Sequence, residues 1–432
     1  MLRKLIPSLT PHLTRTAHTH TQTQTQTHTP PVHGRVYGLP STGSNLPGPG
    51  VVINLDGISQ AYLDAAAAAG AIPTLSRLAG ETGAHSLVAA PMPSLSLPGV
   101  VSLATGATPD FHGVIGSTHA TPDPSHPGWA MVDAPPDRLT LSEGEDCVSV
   151  LDALDAAGAR VGLVTAKHEH AALLGRALEG RPAVVESVEI PSRSGAEASF
   201  AALDRGADLL EANALDVLFV STSDAVPHAA PPESNEALEF LNGVDCVLTR
   251  IMATKPAAVG ITSGHAVNWK ISYDDSPRVT FLRPYLDGTN AHVLLPIIDP
   301  YPSHHGGLGG MAHIFFPPEV VQDTDMLARI QANLRSASGT YSVLTRSSAA
   351  SALCLPPQVI GDLVVLADMD TVLGDDPDTY PELESRIGLR STGSTYETTV
   401  PMILTKPLDS IRFPSFGRGK CFTSDIFDFV LN

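Results

Sequence analysis

Short apolar runs alternate with amphipathic stretches along most of the chain. Residues 50–57 (GVVINLDG) form an apolar run that ends in a carboxylate and a glycine, which predicts the end of a buried parallel strand. Residues 62–69 are alanine-rich and helical in pattern, 85–91 read as a strand, and 98–104 read as a helix entered from a turn. An amphipathic stretch at 147–158 precedes a buried strand at 159–166. Residues 215–222 and 257–264 repeat the strand pattern, with a helix around 233–253 between them. Strands alternating with helices predict an α/β fold with a mainly parallel central sheet flanked by helices. In such sheets ligands bind beyond the carboxyl ends of the strands.

The amino terminus follows a different pattern. Residues 19–29 alternate Thr with His or Gln, a tract with nothing apolar to bury and therefore expected to be disordered. Leu2, Leu5, Ile6, Leu9 and Leu13 fall at helical spacing beside Arg3, Lys4 and Arg15, and no acidic residue precedes Asp56. That pattern fits a mitochondrial transit peptide, although Pro7 and Pro11 weaken its helix. The other reading is an inert tail, so the expected location is mitochondrial or cytoplasmic. His18, His20 and His28 lie in the polar tract and make no site there. Residues 41–50, rich in Gly, Ser and Pro, link this tail to the folded part.

Composition narrows the function classes. The chain has 432 residues, 43% of them hydrophobic and 16% charged, enough to bury a sizeable core. The net charge of −19 argues against nonspecific binding to nucleic acid or anionic lipid, while leaving room for a local basic pocket. Cys147, Cys246, Cys354 and Cys421 are far apart, which excludes a CxxC zinc or redox motif and predicts four reduced thiols. No uncharged apolar run is long enough for a membrane helix, so a soluble chain is expected.

The strand-end rule then selects the candidate chemistry. Asp56 follows the first strand, Asp224 and His228 follow residues 215–222, and His265 follows residues 257–264. Ser94 and Ser96 sit in a turn before a helix, where free backbone N–H groups favour an oxyanion or a phosphate. Each alone would pass for a turn or cap residue. Together, a hydroxyl, two carboxylates and two imidazoles on one sheet edge are what a metal-assisted hydrolase uses.

At these residues the sequence resembles the phosphonoacetate hydrolase family of the alkaline phosphatase superfamily. The likeness runs from about residue 32 to 432. It includes NLDG (54–57), MPSLSLPGVVSLATGATPDFHGVIGS (92–117), VTAK (164–167), STSDAVPH (221–228), TSGH (262–265), LLPIIDPYPSHHGGLG (294–309), IGDLVVLADMDTVLG (360–374) and LRSTG (389–393). The resemblance implies cleavage of the C–P bond of phosphonoacetate to acetate and phosphate, with two zinc ions and a threonine nucleophile. It places a core at 46–269 and 386–432, an inserted α/β cap at 270–385 that closes over a small anionic substrate, and a tail at 1–45.

The resemblance carries over residue by residue. Ser96 stands in the nucleophile's place. One metal site would take Asp56, Ser96 and His265, but Gly264 replaces an expected Asp; the other would take Asp224 and His228, but Thr392 replaces an expected His. Lys167 and Ser117 hold substrate-binding positions, the latter in place of an asparagine, and Glu169 replaces a second lysine. Catalytic zinc ordinarily has three protein ligands and an open position, so a normal two-zinc centre is not expected and a single-metal one remains. Asp110, His112, His119 and Ser223 are expected bystanders, and His304 and His305 are assigned to the cap. Two classes of function stay open. One is a hydrolase, of phosphonoacetate, another phosphonate or a phosphate ester; the other is a pseudoenzyme that keeps fold and pocket as a binding or structural module.

Overall fold

The computed structural model describes residues 48–123, 128–132, 147–181, 183–188, 195–297, 307–381, 383, 388–408, 416 and 421–432. The amino-terminal tail, with its targeting reading, and His304 and His305 lie outside these residues. In chain order the strands used below are β1 (Gly50–Asn54), β2 (Ala84–Ala89), β3 (Val161–Thr165), β4 (Val184–Ser187), β5 (Val217–Ser221) and β6 (Ala258–Thr262). They continue with β7 (His292–Leu294), β8 (Met311–Phe315), β9 (Thr340–Thr345), β10 (Leu363–Ala367) and β11 (Thr399–Leu404). The helices are α1 (Gln60–Ala68), α2 (Ser96–Thr105), α3 (Val150–Ala156), α4 (His168–Leu174), α5 (Gly195–Glu211), α6 (Ala225–Ala229), α7 (Asn235–Ala253) and α8 (Ile426–Leu431).

A seven-stranded sheet runs in the order β2-β11-β6-β1-β5-β3-β4. The five strands from β6 to β4 are mutually parallel. β1, β3, β5 and β6 are buried at every residue, which explains their unbroken apolar runs: side chains alternate between two covered faces. Val52 and Phe219 pack on one face with Leu103 of α2, Leu151 of α3 and Phe427 of α8. Val51, Ile53, Leu218 and Val220 pack on the other face with Leu63 of α1, Leu203 of α5 and Leu241 of α7. The α/β class read from the sequence is therefore the observed one.

Two elements differ from the sequence reading. β2 does not join the parallel set; it lies at the edge, paired antiparallel with β11, a partner more than 300 residues away that local pattern cannot reveal. α2 begins at Ser96, so Ser96 is the first helical residue and only Ser94 remains in the turn. Pro98 does not delay the helix, because a first-turn residue has no intrahelical N–H bond to lose. A separate four-stranded sheet, β7-β8-β10-β9, is antiparallel throughout.

Candidate active site

Four neighbouring strands, β6-β1-β5-β3, deliver His265, Asp56, Asp224 and Lys167 in that order along the carboxyl edge of the sheet. Asp56 lies two residues past β1, and its N–H donates to Thr222 Oγ1 at 3.0 Å. Asn54, the last residue of β1, ties three strand ends together: its Nδ2 donates to Ser221 Oγ at 2.9 Å, and its Oδ1 accepts from Gly264 N at 2.8 Å. Gly57 turns the chain away with φ 78°; a Cβ there would lie 3.0 Å from the Cβ of Asp224, so the residue after Asp56 has to be glycine for the two carboxylates to approach. Ser223 Oγ accepts from Ala225 N at the start of α6, a capping role beside Asp224.

The two carboxylates divide their oxygens between His265 and Lys167. Asp56 Oδ1 and Asp224 Oδ2 lie 3.5 and 3.3 Å from His265 Nε2. Asp224 Oδ1 and Asp56 Oδ2 lie 2.5 and 3.9 Å from Lys167 Nζ. His228 Nε2 is 3.5 Å from Asp224 Oδ2, and its Nδ1 is 3.2 Å from the Arg390 carbonyl. All five side chains are buried. Resemblance divides Asp56 and Asp224 between two ions, yet here both face His265, because their strands are adjacent.

Ser96 enters from α2. Its hydroxyl donates to Asp56 Oδ2, Lys167 Nζ donates to its oxygen at 2.9 Å, and His170 Nε2 lies 3.3 Å away. His170, on the first turn of α4, is a neighbour that the sequence reading did not single out. Asp110 and His112 serve locally: Asp110 accepts from Thr108 Oγ1, and His112 bonds Ser102 of α2. A cleft opens beside the cluster, bordered by Ser96, Ser117, Lys167, Glu169, Asp224, His228 and Thr392.

Both substituted positions have a structural role. Gly264 packs backbone to backbone on Gly99 of α2: a Cβ on Gly264 would lie 3.1 Å from Gly99 Cα, and one on Gly99 would lie 2.7 Å from the Gly264 carbonyl oxygen. Thr392 Oγ1 donates to the Ser94 carbonyl, so it can only accept from His265 Nδ1, 3.1 Å away. The Ala266 carbonyl, at 3.0 Å, is a second acceptor for the same nitrogen. His265 therefore carries its proton on Nδ1 when neutral, and its Nε2 lone pair faces the carboxylates.

Electrostatics follow from crowding. Burial and the neighbouring Asp224 hold Asp56 above the usual carboxylate range, against the pull of His265, Lys167 and Ser96. Burial would also raise Asp224, but Lys167, His228 and His265 outweigh it and hold that carboxyl well below its ordinary value. Burial would lower His265, and the two carboxylates instead raise it.

These residues fit a metal ion. The ligating atoms of Asp56, Asp224 and His265 lie within 4.8 Å of one another. His265 Nε2 is fully buried and makes no hydrogen bond, and an imidazole nitrogen with two carboxylate oxygens is a donor set for a divalent transition metal.

The fold is that of a mixed α/β phosphodiesterase: residues 50–377 match the family described as type I phosphodiesterase / nucleotide pyrophosphatase, and the chain belongs to it. Within that family it is phosphonoacetate hydrolase-like, in the alkaline phosphatase superfamily. Phosphonoacetate hydrolase from Sinorhizobium meliloti 1021 in complex with phosphonoformate superposes with a TM-score of 0.81 at 30% identity, over 94% of this chain and 99% of that one. The same enzyme with phosphonoacetate gives 0.80 at 30% identity over the same shares. Human ectonucleotide pyrophosphatase/phosphodiesterase 5 shares the fold, with a TM-score of 0.58 at 14% identity over 88% and 93% of the two chains. The family match and the likeness to phosphonoacetate hydrolase support a hydrolase of phosphonates or phosphate esters. No described helix is long and apolar enough to cross a membrane.

Proposed function

We propose that the chain is a metal-dependent hydrolase of a small anionic phosphonate, of the phosphonoacetate hydrolase type, with Ser96 as nucleophile. The observation that carries this reading is the meeting of Ser96 Oγ with Asp56, Lys167 and the Asp56–Asp224–His265 cluster beside a cleft that Ser96, Lys167 and Asp224 line. Asp56, Asp224 and His265 would hold a zinc ion, with His228 beside them; once bound, it would lower the pKa of an oxygen nucleophile and offset phosphoryl charge.

The side chains do the rest. Asp56 and Lys167 fix Ser96 Oγ at the start of α2, where the N–H groups of Ser96 and Leu97, ahead of Pro98, would be available to an incoming phosphonate. Lys167 and Ser117 border the cleft and supply a cation and a hydroxyl to its oxygens. Attack of Ser96 Oγ on phosphorus, its proton passing to Asp56, would break the C–P bond; the departing carbon would take one proton to become the methyl of acetate, and water, giving up a proton in turn, would release phosphate from the serine. Residues 270–385, which include the antiparallel sheet, would act as the cap, with Pro296 reaching the cleft wall.

Glu169 favours a second reading within the same chemistry. A carboxylate borders the cleft where resemblance expects a lysine, which disfavours a strongly anionic substrate tail and favours another phosphonate or a phosphate ester. The test is inorganic phosphate released from a panel of phosphonoacetate, other phosphonates and phosphate monoesters and diesters in the presence of zinc. Turnover of a panel member, reduced to background in Ser96→Ala, is expected. Turnover unaffected by Ser96→Ala would overturn the assignment, and a folded, metal-loaded chain without turnover would favour the pseudoenzyme.

A further inference from the structure

Among the described residues that line the cleft, Lys167 is the one lysine or arginine, and Asp224 and Ser96 already engage its ammonium at 2.5 and 2.9 Å. Asp224 and His228 belong to the strand-end cluster. The remaining ionisable side chain on the described wall is Glu169, on the first turn of α4 and 21% exposed. Glu169 Oε1 lies 3.9 Å from His170 Nε2, and that nitrogen lies 3.3 Å from Ser96 Oγ. The carboxylate is therefore no farther from the nucleophile than these two distances laid end to end. A phosphorus on Oγ, an ester oxygen, two carbons and a nitrogen span such a gap. One part of the cleft thus takes a phosphoryl group, and the wall nearby presents negative charge to whatever that group carries. A partly covered carboxylate repels an anionic tail and attracts a cationic one more strongly than a fully solvated carboxylate would.

We propose that Glu169 selects the tail of the substrate, and that the substrate is a phosphate monoester of a short amino alcohol, its ammonium at Glu169 and its phosphate at Ser96 and Lys167. The proposal rests on the hydrolase reading with Ser96 as nucleophile and deepens its phosphate-ester form. Leaving-group chemistry points the same way. Breaking a C–P bond expels a carbanion, which needs an adjacent carbonyl or carboxylate to take up its charge, and a carboxylate tail is what Glu169 repels. An aminoalkyl carbanion has no such group, so an ammonium-tailed substrate has to leave through oxygen. In that step Ser96 Oγ attacks phosphorus and passes its proton to Asp56, its hydrogen-bond acceptor. The P–O bond to the alcohol breaks, and the alkoxide takes that proton and departs as the amino alcohol. Water then displaces Ser96 Oγ from phosphorus, gives it one proton, and carries the phosphoryl group away as phosphate. Leu95, Leu97 and Ile297 supply apolar wall for a short alkyl spacer.

The experiment measures, by calorimetric titration of the zinc-loaded full chain, the binding of three phosphates that differ in tail charge: O-phosphoethanolamine, propyl phosphate and 2-phosphoglycolate. A Ser96→Ala background keeps the ligands intact, and circular dichroism checks the fold of each variant. O-phosphoethanolamine is expected to bind roughly 5-fold more tightly than propyl phosphate, and 2-phosphoglycolate more weakly than either. Adding Glu169→Gln is expected to bring the three affinities together, and adding Glu169→Lys to reverse their order. Binding of none of the three, an unchanged order in Glu169→Gln, or 2-phosphoglycolate binding tightest with Glu169 in place would overturn the proposal. With Ser96 restored, O-phosphoethanolamine should release phosphate, while 2-aminoethylphosphonate should bind and stay intact; its cleavage would overturn the ester assignment. The two readings fail separately. Tail selection without phosphate release leaves the role of Glu169 standing and removes the hydrolase, whereas turnover indifferent to tail charge removes the proposal and leaves the hydrolase.

Discussion

Thr392 stands where resemblance expects a metal-ligating histidine, and its hydroxyl is committed in two directions. It donates to the Ser94 carbonyl and accepts from His265 Nδ1, which leaves the His265 Nε2 lone pair facing Asp56 and Asp224. Outer partners of this kind typically change metal affinity 10- to 100-fold when removed. Thr392→Val, which keeps the shape and deletes the acceptor, should therefore weaken zinc binding by roughly 10-fold in a competition titration with a chelator. Equal affinity in the two proteins would mean that the Ala266 carbonyl orients His265 unaided. Much of the site was legible at this scale: Asp56, Asp224 and His265, which the strand-end rule selects, meet Ser96, read from the turn before a helix, and Lys167, which the resemblance supplied. His170 and Asn54 were not, because an amide and an imidazole beside a strand have no signature until the opposing strand ends are known.

Elements set the distances among these residues. Four adjacent strands ending at one level bring residues from 56, 167, 224 and 265 together, and no local pattern reveals that order. The same holds for the approach of α2 to the segment after β6. Gly99 and Gly264 meet without side chains, so the helix that carries Ser96 can lie against the loop that carries His265. Gly264→Ala should force these backbones apart and cost about 1–3 kcal/mol in urea unfolding. It should also reduce turnover more than stability alone explains, by moving Ser96 from Asp56; an unchanged unfolding midpoint would contradict the close packing. At α3, Ser149 and Asp152 form a reciprocal cap outside the cleft lining, and Ser149→Ala should cost about 1 kcal/mol with activity intact. Strands and long helices were legible within a few residues because both faces of the sheet are covered, which makes each buried strand an unbroken apolar run.

At the scale of the whole molecule, the antiparallel sheet has a core on one face, around Ala312 and Ile314, and His313 between them on β8 turns to the other face, fully buried. Burial pushes this ring down to about 3, from an ordinary value of about 6.5. Between those values the unfolded chain binds a proton that the folded chain does not. The stability that depends on a neutral His313 is therefore complete above about pH 6.5 and declines as pH falls toward the folded value, by up to about 1.4 kcal/mol per pH unit. Urea unfolding between pH 7 and pH 5.5 should show this slope in wild type and a flatter one in His313→Leu; equal slopes would contradict it. Nothing in the sequence pattern marked His313, since a histidine in an apolar strand reads like any other core residue.

The central claim is that the strand ends of the parallel sheet build one metal-dependent hydrolytic site around Ser96. Its most direct test is phosphate release from phosphonoacetate, and from whichever panel compound turns over fastest, as zinc is titrated into metal-free wild type and Asp56→Asn. Release that climbs with zinc to a plateau in wild type and stays at background in Asp56→Asn is the expected result. Release that is independent of zinc and equal in the two proteins would contradict the account.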